Sequence, residues 1–313
     1  MMMDRLLSVY GLSFFINSCQ DKRKGCPFMS ASNALLIFSN SSINSKMKRM
    51  LTILVYALIA YALLLILLFV FQRSYLYFPD KETIPLHYFD EFNIEKIKHT
   101  TDDGLTLAGW YKEPDTKNTN IFFLMHGNAG HVGHRVEKFR KILKAGYGFF
   151  FLEYRGYGGN PGKPTEKGLH LDALSALDFL RGKKIPDQKI ILYGESLGTG
   201  IAVQLGTTMK AKAIILETPY TSIADLAQQH YWYLPAKWLI FDRFELLGII
   251  KNIQSPLLIL HGEKDKIIDI SFGQKVFGAA PQPKESFFVP YADHNNLFDF
   301  KVDEKILLFL ETL

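Results

Sequence analysis

Cysteine is almost absent from this chain. Of 313 residues only Cys19 and Cys26 carry a thiol, and both lie within the first thirty positions. The rest of the sequence therefore has no cysteine nucleophile, zinc-thiolate cluster or disulfide framework. Such sparse usage fits either redox compartment. A large excess of one sign of charge is lacking too: the net charge is +5 and the basic residues form no long stripe, so nucleic acid is excluded as an expected partner. No internal repeat is visible. What remains is an ordinary globular composition, 48% hydrophobic and 21% charged, with length for one large domain or two small ones.

One long apolar run stands out. Residues 51–71, "LTILVYALIAYALLLILLFVF", contain no charge. As a helix rising about 1.5 Å per residue, they reach roughly 31 Å, the thickness of a bilayer's hydrocarbon core. A core helix of this length would carry a polar face. A cleaved signal would be shorter and end in small residues, whereas this run ends in "LLFVFQRSY". The expectation is an uncleaved single-pass anchor. Lys46, Lys48 and Arg49 precede it, against Arg73 and Lys81 after it. That slight bias sets the N-terminus in the cytoplasm and the following domain outside it, periplasmic or lumenal. Residues 1–46 show no sustained periodicity and receive no fold. Because "MKRML" at Met47 has the form of a membrane-protein start, translation is expected to begin at Met47 or Met50.

Residues 72–93 read as a polar and aromatic connector, and 94–313 as one folded domain. Strands are expected at 94–99, 106–111, 121–125, 148–152, 189–193, 213–217, 256–261 and 285–289. Helices are expected at about 133–145, 166–183, 197–210, 271–279 and 297–311. Short apolar runs, each followed by a turn and a helix, indicate an α/β fold whose sheet is mostly parallel, eight-stranded and covered on both faces.

The stretch "IILYGESLGTGIAVQL" carries the chemistry. A strand runs into Gly194-Glu195-Ser196-Leu197-Gly198 and a helix follows directly. A serine at such a turn is held strained and exposed, while flanking glycines let strand and helix backbones approach. This is the G-x-S-x-G pattern of a nucleophile elbow, with unpaired N–H groups of the helix start nearby for an oxyanion. An N-cap serine in a glycine-rich turn would match the pattern but needs no partners elsewhere. A hydrolase needs three. The loop "HGNAG" after 121–125 offers the backbone N–H of Asn128, paired with that of Leu197. "LHGEKDKIID" holds Glu263, Asp265 and Asp269, of which Asp265 is chosen. His294, in "YADHNN", is the only histidine beyond Asp265. The chain order Ser196, Asp265, His294 is the one the fold requires. A metal site from His126, His131 and His134 is disfavoured because no nearby carboxylate or thiolate completes it.

At this point the chain resembles the α/β-hydrolase superfamily, and within it the membrane-anchored, bud-emergence-type branch of α/β-hydrolase-domain-containing proteins. The resemblance spans roughly residues 72–313 and rests on "LYFPD", "TDDGLTLAGWY", "HGNAGHVGHR", "LEYRGYGGNPGKPTE", "LYGESLGTG", "LETPYTS", "LLILHGEKDKII" and "ADHNNLF". It implies that Ser196, Asp265 and His294 form the triad of an enzyme cleaving ester or thioester bonds, on small-molecule or lipid acyl substrates.

The mechanism expected is acyl transfer to Ser196 and then to water, with no metal or organic cofactor. Segment 221–253 is expected to be a small helical cap, with Trp232, Trp238 and Phe241 as candidates for an apolar acyl pocket. The loop around Glu153, Arg155 and Tyr157 is read as structural. Two other functions stay open: an amidase or peptidase using the same triad, and a membrane-tethered binding protein on an inactive hydrolase fold.

Overall fold

Five consecutive apolar residues can all be buried only if both faces of their strand are covered. In the computed structural model, which describes residues 44–115 and 119–313, this holds for Ile121–Met125, whose side chains alternate between two cores. Phe123 and Met125 pack on one face of the sheet, Phe122 and Leu124 on the other. The chain before residue 44, with Cys19, Cys26 and most of the unassigned segment, lies outside the described residues.

Among the described residues, eight strands form one sheet: β1 (Glu95–Thr100), β2 (Thr106–Lys112), β3 (Ile121–Met125), β4 (Gly148–Leu152), β5 (Ile190–Glu195), β6 (Ala213–Glu217), β7 (Leu257–Gly262) and β8 (Lys284–Val289). Their spatial order is β1-β2-β4-β3-β5-β6-β7-β8. β1 and β2 pair antiparallel, as do β2 and β4, and every other neighbour is parallel. Each expected strand falls within one or two residues of an observed one. The switch in strand order beside β3 and β5 opens a crevice at their carboxyl ends, where open α/β sheets place ligands.

Among the described residues, the helices of eight residues or more are α1 (Ser45–Leu76), α2 (Glu166–Gly182), α3 (Gly198–Gly206), α4 (Ile223–His230), α5 (Ile270–Ala279) and α6 (Val302–Glu311). α2 starts on Thr165, whose side chain accepts from the Gly168 N–H, and α4 on Ser222, which accepts from the Asp225 N–H. Two expected helices are interrupted. The one at 133–145 breaks into Gly133–Val136, a 3-10 turn at Glu137–Phe139 and Arg140–Lys144. The tighter turn sends Phe139 into the core, edge-on to Tyr193 at 4.9 Å. The one at 297–311 breaks at Lys301, which sits at φ +61°.

Contacts divide the chain inside α1, between Leu63 and Leu64. The described part of the first unit is helical and exposed from Ser45 onward. α1 runs past the apolar residues 51–71 at both ends because the flanking lysines and arginines are good helix formers. Among the described residues it is the helix long and apolar enough to cross a membrane. In the second unit the last turns of α1 are fixed to segment 221–253. Gln72 donates to the Leu239 carbonyl at 3.1 Å and accepts from the Phe241 N–H at 2.7 Å. Arg73 forks onto both oxygens of Asp242, at 2.8 and 3.2 Å.

His99 on β1 is buried, with Nδ1 2.7 Å from the Ser175 hydroxyl. Burial disfavours the imidazolium and pushes its pKa down to about 4. The unfolded chain takes up that proton near about pH 6.5, so acid favours unfolding, and stability falls as pH drops from there towards 4. Urea unfolding across this window is expected to show that loss, with a shallower slope for His99→Gln. Identical slopes would contradict it.

Candidate active site

The elbow is built by steric necessity. Ser196 sits at φ +50°, a left-handed conformation costing a non-glycine residue about 1–2 kcal/mol. A Cβ on Gly198 would lie 2.1 Å from the Met125 carbonyl oxygen, and one on Gly194 would lie 2.6 Å from the Thr199 Cα. Neither fits. The glycines let β5 and α3 close on each other and on β3, and the serine is the residue left at the apex. Its backbone is held on both sides: its N–H donates to the Glu217 carbonyl at 2.9 Å, and its carbonyl accepts from the Thr199 hydroxyl at 2.6 Å.

Asp265 follows β7 and is buried. Its Oδ1 accepts from the N–H groups of Ile267 and Ile268, both at 2.8 Å, which aims Oδ2 at His294 Nδ1, 2.7 Å away. Burial raises the carboxyl's pKa, but contacts from His261 and His294 and the Ile268 N–H outweigh it and hold Asp265 well below the usual carboxylate range. His261, itself buried, stands 3.5 Å from the same oxygen while bonded to the Ile268 carbonyl at 2.8 Å. The His294 loop reaches Asp265 because Gly262 has no side chain, since a Cβ there would meet the Ala292 carbonyl at 2.4 Å. The two other acids considered lie outside. Glu263 is exposed, and Asp269 caps α5 through the Ser271 N–H.

Ser196 and His294 line one cavity of about 550 Å³, together with Asn128 and Leu197. Among the described residues, neither the Asn128 nor the Leu197 N–H donates a backbone hydrogen bond. The Asn128 loop is clamped from elsewhere: its carbonyl accepts from the Phe78 N–H and the Tyr157 hydroxyl, and its side-chain amide donates to the Leu76 carbonyl. Tyr157, read from sequence as structural only, thus positions the loop beside Ser196. A half-buried ion network on the cavity wall also escaped the sequence. Arg135 and Lys138 both bind Glu195, the residue before the serine, and Lys138 also binds Glu217. Burial alone would raise the Glu195 pKa, but the two cations drive it far down.

Two expectations need correction. Trp232, Trp238 and Phe241 line neither this cavity nor the apolar groove beside it, and are 78%, 87% and 55% exposed. The short helices of 221–253 turn these rings outward and present Ile223, Leu226 and Ala227 to the cavity instead. Secondly, a carboxylate does approach two of the three histidines. Asp80 from the connector joins His131 and His134, with ligand atoms within 4.8 Å of one another, whereas His126 faces Glu153. The His131 and His134 rings stack at 3.9 Å and 24°, however. In-plane lone pairs of nearly parallel rings do not converge at the roughly 2 Å needed for zinc, so this set does not suit a metal as arranged.

The strand order, the positive φ of Ser196 and the bonded Asp265–His294 pair can now be set beside known proteins. The chain is 32% identical over 254 residues to the uncharacterized protein Rv2307c of Mycobacterium tuberculosis, covering 80% of this chain and 90% of that one. It belongs to the α/β-hydrolase superfamily and is a serine hydrolase. The family described as serine aminopeptidase, S33, matches residues 116–242. The lysophosphatidylserine lipase ABHD12 of Rattus norvegicus is 34% identical over 214 residues, covering 60% of this hydrolase and 53% of the lipase. The chain thus spans about half that relative's length. An esterase of Pyrococcus furiosus superposes with a TM-score of 0.61 at 17% identity, over 76% of this chain and 98% of the esterase, a likeness of fold alone.

Asp265→Asn should keep the loop but bond the wrong imidazole tautomer, lowering turnover about 10⁴-fold with an unchanged far-ultraviolet spectrum. A loss under tenfold would show that the Asp265–His294 contact has no part in the reaction.

Proposed function

We propose that the protein is a membrane-anchored hydrolase of carboxylic ester or thioester bonds, acting through an acyl-enzyme on Ser196. The supporting observation is the Asp265–His294 contact at 2.7 Å on the wall of the cavity that also holds Ser196. His294 Nε2 takes the serine proton as Oγ attacks the substrate carbonyl. Asp265 keeps Nδ1 protonated and stabilises the imidazolium that forms. The N–H groups of Leu197 and Asn128 receive the oxyanion, a pair whose members are each worth about 10²–10³ in turnover. His294 then protonates the leaving alcohol or thiol, and water activated by the same imidazole releases the acid.

The substrate in this reading is a lipid or another acylated molecule. The named activity of the lipase relative and the apolar side of the cavity both favour it. Residues 51–71 of α1 hold the enzyme in the bilayer, with residues 72–93 as connector, 94–313 as the catalytic domain and 221–253 as its cap. Lys46, Lys48 and Arg49 ahead of the span support a catalytic domain outside the cytoplasm.

Hydrolysis of p-nitrophenyl butyrate by the full chain should fall by at least about a thousandfold in Ser196→Ala, and both proteins should stay with membranes through an alkaline carbonate wash. A variant with full turnover would overturn the nucleophile, and release by carbonate would overturn the anchor.

A further inference from the structure

Beside the catalytic cavity lies a second hollow, an open groove of about 330 Å³. Its walls are two helical stripes. On α1 they are Leu68, Gln72, Tyr75 and Leu76, spaced i, i+4, i+7 and i+8 and so on one face. On α4 and its C-cap they are Ile223, Ala227 and Tyr231, again one face. Leu234, Ala236, Leu239 and Ile240 close the floor. Gln72 is the one amide among these residues, and the other polar side-chain groups are the hydroxyls of Tyr75 and Tyr231. The Gln72 amide is already taken by the Phe69 and Leu239 carbonyls and the Phe241 N–H, so it offers nothing to a polar ligand.

Tyr75, Leu76, Ile223, Ala227 and Tyr231 line both hollows. The groove is therefore a continuation of the cavity that holds Ser196. Its far end is Leu68, which belongs to the uncharged run 51–71. An apolar, uncharged trough leading from a nucleophile to a membrane-spanning segment suits a hydrocarbon chain, which needs no hydrogen-bond partner.

We propose that this groove is the acyl-chain subsite, and that the end of the membrane helix is itself one wall of it. A single long acyl chain lies along α1 with its carbonyl at Ser196 and its tail towards the bilayer. The substrate class is then a long-chain monoacyl ester taken from the membrane plane. The stapling of α1 to the cap through Gln72 and through Arg73–Asp242 keeps the two walls at fixed spacing. The inference rests on the ester-hydrolase reading above.

The test uses the full chain in detergent micelles and p-nitrophenyl esters from acetate to palmitate. In the wild type, kcat/KM should rise about fourfold per added methylene until the groove is filled, the factor matching the transfer free energy of one CH₂. Ala236→Phe fills the floor and should lower the laurate-to-acetate ratio of kcat/KM at least tenfold. An unchanged ratio, in a variant whose Ser196 still reacts with a fluorophosphonate, overturns the groove. If that variant does not react, Leu234→Ala decides: a longer preferred chain supports the groove, and an unchanged preference overturns it. A wild type that cleaves no ester of any length ends the ester-hydrolase reading, and the groove with it. One that cleaves acetate but ignores both substitutions ends the groove alone.

Discussion

A serine held at φ +50° between two glycines is the constraint on which the rest of the site depends. The backbone of β5 must reverse into α3 within a few residues while both press against the end of β3. The clearances at Gly194 and Gly198 allow no methyl group. The strain this places on Ser196 is offset by burial on both faces of the sheet, because strands with every side chain inside hold the elbow from three sides. Once the apex is set, the crevice at the switch in strand order becomes a fixed point. The loops after β3, β7 and β8 each bring one component to it.

Those loops are held by short-range hydrogen bonds more than by bulk. Asp265 is oriented by two backbone N–H groups, His294 by Asp265, and the Asn128 loop by Tyr157 and the connector. Beside them two cations and two carboxylates, Arg135, Lys138, Glu195 and Glu217, pair on the wall of the same cavity, Glu217 buried and the others half-buried. Such a cluster contributes little net stability against its desolvation cost. Its fixed charges do tie helix segments 133–144 to the ends of β5 and β6, beside Ser196.

The strands were legible because an unbroken run such as Ile121–Met125 has few other places to go, and the elbow because its glycines answer a local steric demand. The contact between Asp265 and His294 was legible through chain order and their place after strands. Tyr157, His261 and the Glu195 network were not, since each acquires its role from a partner distant in sequence. Asp80 approaches His131 only because residues 78–79 pair with 129–130, a two-residue bridge with no sequence signature. The interruption at Glu137–Phe139 depends on where Tyr193 and Phe149 leave room for a ring. The cap aromatics illustrate a different limit. Composition shows that 221–253 is rich in rings, but short helices carry no long periodicity to say which way they face, and Trp232, Trp238 and Phe241 face out.

The central claim is that the backbone at residue 196 presents one uniquely reactive hydroxyl to the Asp265–His294 pair. Peptide mapping by mass spectrometry, after the full chain reacts with a fluorophosphonate, tests it most directly. The account predicts one adduct, on Ser196, that does not form in His294→Gln over the same interval. An adduct on another serine, or equal labelling without the imidazole, would contradict it.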